Sequence, residues 1–230
     1  MIAAHQTMMG PQGGPSSLDY VQDGLVAMWD GIENAGRGLY NASSTTWKDL
    51  VGNRDFSVNL TDAEWESDSL YAKNRNAATM EFVPFSSTYT IQFVVKKLFN
   101  TTASGANSAY VVLGLDGSRY YGLLVRVSVN GLMADRSYFN NSTKAGYRCL
   151  SFSDIANTSS KMWADGATVN ASGYNSLDYS TARGNVARIG GTADVDKPIK
   201  LHAIRIYNRA LTDAEIAANY AIDKARFNLP

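Results

Sequence analysis

The segment Leu201–Tyr220 constrains the fold most strongly, because a strand pattern is followed there almost at once by a helix start. Alternation from Ile199 to Tyr207 places the odd-numbered residues on one face and the even-numbered residues on the other, with apolar groups on both. Such a strand is typical of a sheet interior covered on both sides. Thr212 then occupies an N-cap position, with Glu215 three residues later to complete a capping box. The sequence therefore predicts a buried strand and a helix that begins at Thr212.

Short alternating segments and tight turns run through the rest of the chain. Asp-Gly or Asn-Gly pairs at 116–117, 130–131 and 165–166 are strong signals for two-residue hairpin turns. The stretch that contains Trp65, Leu70 and Tyr71 is more irregular. Period-two patterns and β-branched runs predict strands at Gly24–Trp29, Asp55–Thr61, Thr79–Val83, Tyr89–Lys97, Ala109–Leu115, Ser118–Val129, Leu132–Tyr138, Lys144–Ser153, Ser160–Ala164, Ala167–Val169, Asn185–Gly190 and Leu201–Tyr207. We therefore predict an all-β fold, a two-sheet antiparallel jelly-roll sandwich with a short C-terminal α-helix.

Both ends of the chain carry a family resemblance. The run IRIYNRALTDAEIAANY covers 204–220, the run GLVAMWDGIENAG covers 24–36, and WKDLVGN covers 47–53. The first run resembles the closing strand and helix of laminin-G-like domains of the concanavalin A-like superfamily. The other two resemble the first strand and first turn of the same domains, particularly those of gut bacteria and their phages. The resemblance implies a jelly-roll domain that binds a glycan or another cell-surface ligand.

The N-terminal residues differ in composition from the rest. Residues 1–17 lack the basic start and apolar core of a secretory signal, and no apolar run reaches the length of a membrane helix. We predict that 1–17 form an extended N-terminal arm or linker and that 18–230 form one laminin-G-like jelly-roll domain. The residues that favour an arm are Gly10, Pro11, Gly13, Gly14 and Pro15.

Charge and cysteine content argue against several classes of protein. Lys plus Arg and Asp plus Glu number 21 each, so no global charge attracts nucleic acid. Cys149 is the single cysteine, which excludes an intramolecular disulfide and argues against a cysteine-based zinc site. Its strand-like surroundings predict a small buried hydrophobe. The tryptophans are predicted core residues: Trp29, Trp47, Trp65 and Trp163.

A sugar-cleaving site would need two carboxyl groups about 5 to 10 Å apart. Glu64 and Glu66 are the pair with suitable spacing, but the nearby Asp62 and Asp68 favour a solvated acidic turn. The chain has two histidines, too few parts for a recognisable triad, and His202 is predicted to be a half-buried sheet residue. We expect a protein that is not an enzyme, with no catalytic residues.

Aromatic residues beside polar groups predict a ligand site instead. Sugar rings stack on aromatic faces while their hydroxyls form hydrogen bonds with planar polar groups. Tyr121, Arg136 and Tyr138 are therefore candidate ligand-binding residues. The alternative is ordinary packing of tyrosines along a sheet.

Loop residues near the first strand are candidate calcium ligands. The resemblance implies that acidic and amide oxygens of such loops can hold the ion, as in calcium-binding jelly rolls of the superfamily. The candidates are Asp30, Glu33, Asn34 and Asp49. They lack the dense spacing of a dedicated calcium loop, and the alternative is that these side chains cap their own backbone. Calcium is the one cofactor that the sequence suggests.

Two functions remain open from the sequence. The first is a noncatalytic binding or adhesion module for a glycan or cell-surface ligand, displayed on a phage virion. The second is a purely structural virion protein, such as a decoration, fibre or tail component, whose arm anchors it to other virion subunits or to copies of itself. A glycoside hydrolase is the third and weakest hypothesis. The absence of a signal peptide in the sequence as given agrees with release by lysis, so an extracellular or virion-surface location is expected, with no membrane insertion and no nucleic-acid partner.

Overall fold

The computed structural model describes residues 7–8, 14–73, 76–81, 87–98, 108–116, 119–126, 131–134, 137–139, 146–155, 159–169, 186–190 and 198–230. In chain order its elements are β1 (Thr7–Met8), β2 (Leu25–Asp30), β3 (Leu39–Tyr40), β4 (Thr46–Trp47), β5 (Phe56–Val58), β6 (Ala63–Trp65), β7 (Leu70–Ala72), β8 (Ala78–Glu81), β9 (Thr88–Lys97), β10 (Ser108–Asp116), β11 (Arg119–Arg126), β12 (Gly131–Ala134), β13 (Ser137–Phe139), β14 (Gly146–Ile155), β15 (Ser159–Ala164), β16 (Ala167–Val169), β17 (Val186–Ile189), β18 (Ile199–Tyr207) and the helix α1 (Asp213–Arg226).

The described strands form two large antiparallel sheets. Sheet I has the order β13-β12-β11-β10-β17-β8-β5-β4, and sheet II has the order β16-β15-β14-β9-β18-β7-β6. Strand β2 pairs with the second half of β18, beside β7 on the first half. With helix α1 after the last strand, this architecture confirms the predicted all-β sandwich with a C-terminal helix. Among the described residues, no helix is both long and apolar enough to cross a membrane.

Aromatic side chains fill the main core. Trp29 meets Phe56 edge to face with ring centroids 5.1 Å apart, and Trp47 meets Trp65 in the same way at 5.4 Å. Trp163 is buried in a second apolar cluster that includes residues of helix α1. The predicted burial of the four tryptophans is confirmed, as is that of Cys149, a free cysteine.

The strands of the predicted hairpins pair as expected, but two turn positions were wrong: Asp116 pairs with Arg119 and Gly131 pairs with Arg126, so both are strand residues. β10, β11 and β12 are adjacent in sheet I, and the predicted strand Leu132–Tyr138 is present as two paired strands, β12 and β13. In the β15–β16 turn, Asp165 and Gly166 have φ of 52° and 78°, as a type I′ turn requires. A Cβ on Gly166 would lie 2.5 Å from Tyr220 Cδ1, so helix α1 packs directly against this turn.

A β-bulge changes the faces of strand β18. The register shifts between Leu201 and Ala203 in the pairing with β9. Consequently Leu201 and Ile204 both face the core between the sheets, whereas Ala203 joins a separate cluster with Phe227, just beyond helix α1. The prediction that all odd-numbered residues share one face was therefore wrong, because a bulge adds one residue and inverts the alternation beyond it. The prediction of burial on both faces is confirmed.

His202 lies at this bulge and is buried, with 1% of its surface exposed. Its Nδ1 lies 3.2 Å from the Asp68 carbonyl oxygen, and its ring contacts the ring of Phe227. The prediction of a half-buried residue was wrong, because the end of the chain covers this part of the sheet.

Helix α1 starts as predicted and packs on the outer face of sheet II. The Thr212 side chain accepts a hydrogen bond from the Glu215 amide, and the Glu215 side chain accepts one from the Thr212 amide. Within the helix, Asn219 donates to Gln92 of β9 and Asp223 binds Arg205 of β18. The helix is thus attached to the sheet through buried polar contacts.

The segment before the first core strand also contacts the domain. Arg226 Nη1 donates to the Pro15 carbonyl, and Arg37 donates to the Ser17 hydroxyl. Strand β1 pairs with β3 of the same chain. The division into an arm at 1–17 and a domain at 18–230 stays a prediction.

Candidate functional site

One row of side chains on the outer face of sheet II is partly open to solvent. The register places Glu64 opposite Tyr71, Tyr71 opposite Lys200, and Lys200 opposite Lys96. The strand neighbours of Glu64, Tyr71 and Lys200, and Val95 before Lys96, belong to the core between the sheets, so alternation directs this row away from that core. Glu64 is exposed, and the other three residues are partly exposed.

Two lysines lie close to the ring of Tyr71 in this row. Lys73 Nζ and Lys200 Nζ are each 5.8 Å from the ring centroid, within the range of a cation–π contact. Lys73 Nζ is 2.7 Å from Glu64 Oε2, and Lys200 Nζ is 2.5 Å from Glu66 Oε1. We call these five residues the Tyr71 platform.

The platform combines an aromatic surface with paired donors and acceptors. Relative side-chain exposure is 60% for Glu64 and 36% for Lys73, but only 32% for Glu66 and 23% for Lys200. One ion pair is therefore open to solvent and the other is more enclosed. A hydrogen bond from the Ser69 hydroxyl to Glu66 Oε2 further orients the enclosed pair.

The pKa of Glu64 bears on whether the acid pair could cleave a sugar. The hydrogen bond from Lys73, together with the charge of that lysine, lowers the pKa of Glu64. A glycosidase acid instead needs a raised pKa, so that it holds a proton at working pH. Glu64 is thus poorly suited to donate a proton to a leaving group.

Sequence reasoning noted the two acids of the platform but missed its aromatic residue. The irregular stretch that contains Tyr71 is a hairpin of β6 and β7, closed by the hydrogen bond from the Glu66 amide to the Ser69 carbonyl. Both strands have three residues, which is too short for a clear period of two. The spacings Glu64-x-Glu66 and Tyr71-x-Lys73 were the available signal.

The predicted ligand residues lie elsewhere. Tyr121 is on β11 opposite Gly114, and Tyr138 is on β13 opposite Met133, both in sheet I. Arg136 and the side chains of both tyrosines fall outside the described part of the structure. A ligand site at Tyr121, Arg136 and Tyr138 stays a prediction.

The first two candidate calcium ligands lie beside a guanidinium group. Asp30 is fully buried, and its Oδ1 accepts hydrogen bonds from the amides of Ile32 and Glu33. Arg226 Nη2 is 2.8 Å from Asp30 Oδ2 and 3.9 Å from Glu33 Oε2. Burial raises the pKa of Asp30, although the charge of Arg226 opposes this effect.

The other two candidates stabilise turns. The side-chain amide of Asn34 binds both the N–H and the carbonyl group of Asn41. Asp49 accepts hydrogen bonds from the amides of Met28, Val51 and Arg54. Among the residues with described positions, no group of three or more His, Cys, Asp or Glu is placed to hold a metal ion. Calcium binding stays a prediction.

The fold is similar to parts of larger solved proteins. Trypanosoma rangeli sialidase matches with a TM-score of 0.59 and 16% identity over 88% of this chain and 33% of its own. The same sialidase in complex with sialic acid matches with a TM-score of 0.58 and 15% identity over 97% of this chain and 36% of its own. The botulinum neurotoxin serotype G binding domain matches with a TM-score of 0.61 and 12% identity over 87% of this chain and 51% of its own.

The chain spans about a third of the sialidase chains and about half of the toxin domain. No family model matches the sequence. A search of curated proteins gave no significant match either. At identities of 12–16% the similarity establishes a shared β-sandwich fold.

Proposed function

We propose that this chain is a noncatalytic, laminin-G-like binding module for carbohydrate and that its ligand contacts the Tyr71 platform. The observation that carries the proposal is the outward-facing ring of Tyr71, which lies close to two lysines. Each of these lysines forms an ion pair with a glutamate. The fold neighbours support only the general class of ligand, carbohydrate, since one is a sialidase in complex with sialic acid and another is a toxin binding domain.

The chemistry of the platform suits a sugar. The C–H face of a pyranose packs against an aromatic ring, and its hydroxyl groups both donate and accept hydrogen bonds. Lys73 and Lys200 supply donors, and Glu64 supplies acceptors. The short strands β6 and β7 fix the spacing of these groups, so little ordering is needed when a ligand binds.

The ion pairs formed by the two acids favour binding without cleavage. Glu64 and Glu66 each face a lysine ammonium group at hydrogen-bond distance. The lowered pKa of Glu64 keeps that carboxylate ionised at neutral pH. We therefore propose that the pair contacts sugar hydroxyls and does not transfer a proton to a glycosidic oxygen.

A glycan array with the purified chain tests this function. We expect binding to a defined set of glycans, and a loss of about tenfold or more in affinity for Tyr71→Ala. Lys48→Ala is the matched control, because Lys48 forms an exposed ion pair with Asp55 outside the platform. Absence of binding to any glycan, or release of reducing sugar from a bound one, would contradict the proposal.

The other hypotheses from the sequence concern the predicted ligand site in sheet I, the virion roles and the N-terminal arm. Variants Tyr121→Ala and Tyr138→Ala examine the predicted site in sheet I on the same array. Display on a phage virion, the structural virion role and a virion-surface or extracellular location are not addressed by the comparisons and stay predictions. Light scattering on the chain with and without residues 1–17 would show whether the arm mediates self-association.

A further inference from the structure

The balance of positive and negative charges at the Tyr71 platform indicates whether its ligand is a neutral or an acidic saccharide. From it we infer that the ligand is a neutral saccharide with adjacent free hydroxyl groups, and not an acidic one such as a sialylated or sulfated glycan. This inference rests on the proposed function and concerns the same site.

The platform has no net charge. Lys73 and Lys200 contribute two positive charges, and Glu64 and Glu66 contribute two negative charges at 2.7 and 2.5 Å from them. Outside the platform, Lys96 lies opposite Lys200 in the same row, and Asp68 lies within electrostatic range of Lys200, so these neighbours add one charge of each sign. An acidic ligand bound over the Tyr71 ring would approach two lysines and two carboxylates together, so repulsion from Glu64 and Glu66 offsets its attraction to the lysines.

The hydrogen-bonding capacity of the platform favours hydroxyl groups. An ammonium group has three donors, and a carboxylate has about four acceptor sites, so each ion pair keeps both kinds of unused capacity. A hydroxyl group can accept from lysine and donate to glutamate. A carboxylate or sulfate group can only accept, so where it takes the place of one of these hydroxyls the neighbouring glutamate loses a donor.

The more exposed ion pair is the better candidate for the first contact. Glu64 and Lys73 are 60% and 36% exposed, so a diol can insert beside them without displacing packed groups. Glu66 is bound by both Lys200 and Ser69, so its side chain would keep its position when a ligand binds. A pair of adjacent hydroxyls on a sugar stacked against Tyr71 then spans the Lys73–Glu64 pair.

Titration calorimetry with three matched ligands tests the inference. The probes are lactose-terminated oligosaccharides with and without a terminal sialic acid, and the same neutral oligosaccharide carrying a sulfate group. We expect the neutral form to bind at least about tenfold more tightly than either acidic form. We also expect its affinity to change little between low and high salt, because no net charge is neutralised.

Variants that change the charge of the platform test the cause of the preference for a neutral ligand. The double variant Glu64→Gln and Glu66→Gln leaves the two lysines unbalanced and is expected to narrow or reverse the preference for the neutral form. Lys48→Ala should leave the preference unchanged, and circular dichroism melts confirm that each variant is folded.

The outcomes separate the two proposals. Preference of the unmodified chain for acidic glycans, with loss of binding in Tyr71→Ala, would overturn the inference and support the proposed function. Binding that does not change in Tyr71→Ala would overturn both for this site. If none of the probes binds, the glycan array decides: array binding to neutral glycans supports the inference, array binding confined to acidic glycans overturns it, and a negative array overturns the proposed function itself.

Discussion

Arg205 in the central strand and Asp223 in the C-terminal helix form a bidentate ion pair inside the protein. The two N–H···O distances are 2.8 and 2.6 Å, and both side chains are at most 2% exposed. Arg205 Nε also donates to Gln92, and the Tyr20 hydroxyl donates to Asp223. Burial lowers the pKa of Arg205, but the charge of Asp223, the nearby Tyr20 and the hydrogen bonds to Asp223 together outweigh this effect, so the net pKa is raised. Strand, helix and N-terminal segment are therefore joined at one polar cluster.

Breaking this pair should destabilise the domain strongly. Asp223→Ala leaves a buried guanidinium group without its carboxylate, which typically costs about 3–5 kcal/mol. The free energy of unfolding from urea denaturation measures the effect. Lys48→Ala, which removes an exposed ion pair, should change stability far less. The prediction is contradicted if both variants lose similar amounts.

The capping box should make stability depend on acid pH. Hydrogen bonds lower the pKa of Glu215 from 4.5 to about 2. Those from Arg209 have the largest effect, and those from Thr212 have a smaller one. Because the folded-state pKa lies below the unfolded one, this contribution is present above about pH 4.5 and is lost as pH falls towards 2.

Glu215→Gln tests this dependence. Gln can still accept the capping hydrogen bond but loses the ion pair with Arg209, so the variant should be about 1 kcal/mol less stable at neutral pH. The difference should shrink between pH 4.5 and 2, as measured by urea unfolding across that range. Glu81→Gln, at an exposed strand position, is the control and should follow the wild-type profile. A pH-independent deficit in Glu215→Gln would show that the charge of Glu215 is not responsible.

A tight contact at Gly166 should make this turn intolerant of a side chain. Gly166 has a φ of 78°, and a Cβ there would approach Tyr220 to 2.5 Å. Gly166→Ala therefore combines left-handed backbone strain of about 1 kcal/mol or more with a steric clash. Gly38→Ala is the matched control, since Gly38 has a φ of 69° and no atom of the described residues lies within 4 Å of its Cβ position.

Thermal unfolding of the two glycine variants separates the causes. We expect the melting temperature to fall clearly further for Gly166→Ala than for Gly38→Ala, because the first adds the clash to the strain. Equal losses would mean that Tyr220 moves aside at no cost.

Asp30 is expected to matter for stability even without calcium. Its Oδ2 is the carboxylate partner of Arg226, whose side chain is 5% exposed, so Asp30→Asn leaves a buried positive charge poorly compensated. A loss of about 2–4 kcal/mol is expected in buffer with a calcium chelator. Any further difference on adding calcium would measure the predicted metal site, and full stability of the variant in chelator would contradict the structural role.

Local signals in the sequence determined the elements that close over a few residues. The capping box joins Thr212 to Glu215, and the turn at Asp165–Gly166 needs only its own backbone angles, so neither depends on distant partners. Alternation likewise identified most long strands, because the period of two is a property of the strand itself. The all-β class and the terminal helix follow from these signals alone.

Tertiary structure decided which residues meet across the sheets. The bulge at His202 changes the face of every later residue in β18, and no local pattern marks it. The Lys200–Glu66 pair joins positions 134 residues apart, and the Tyr71 platform exists because β6, β7 and β18 are neighbours in sheet II. Strand order depends on the packing of the whole chain, whereas capping and turn geometry depend on a few adjacent residues. This difference explains why the fold class could be predicted while the candidate site required coordinates.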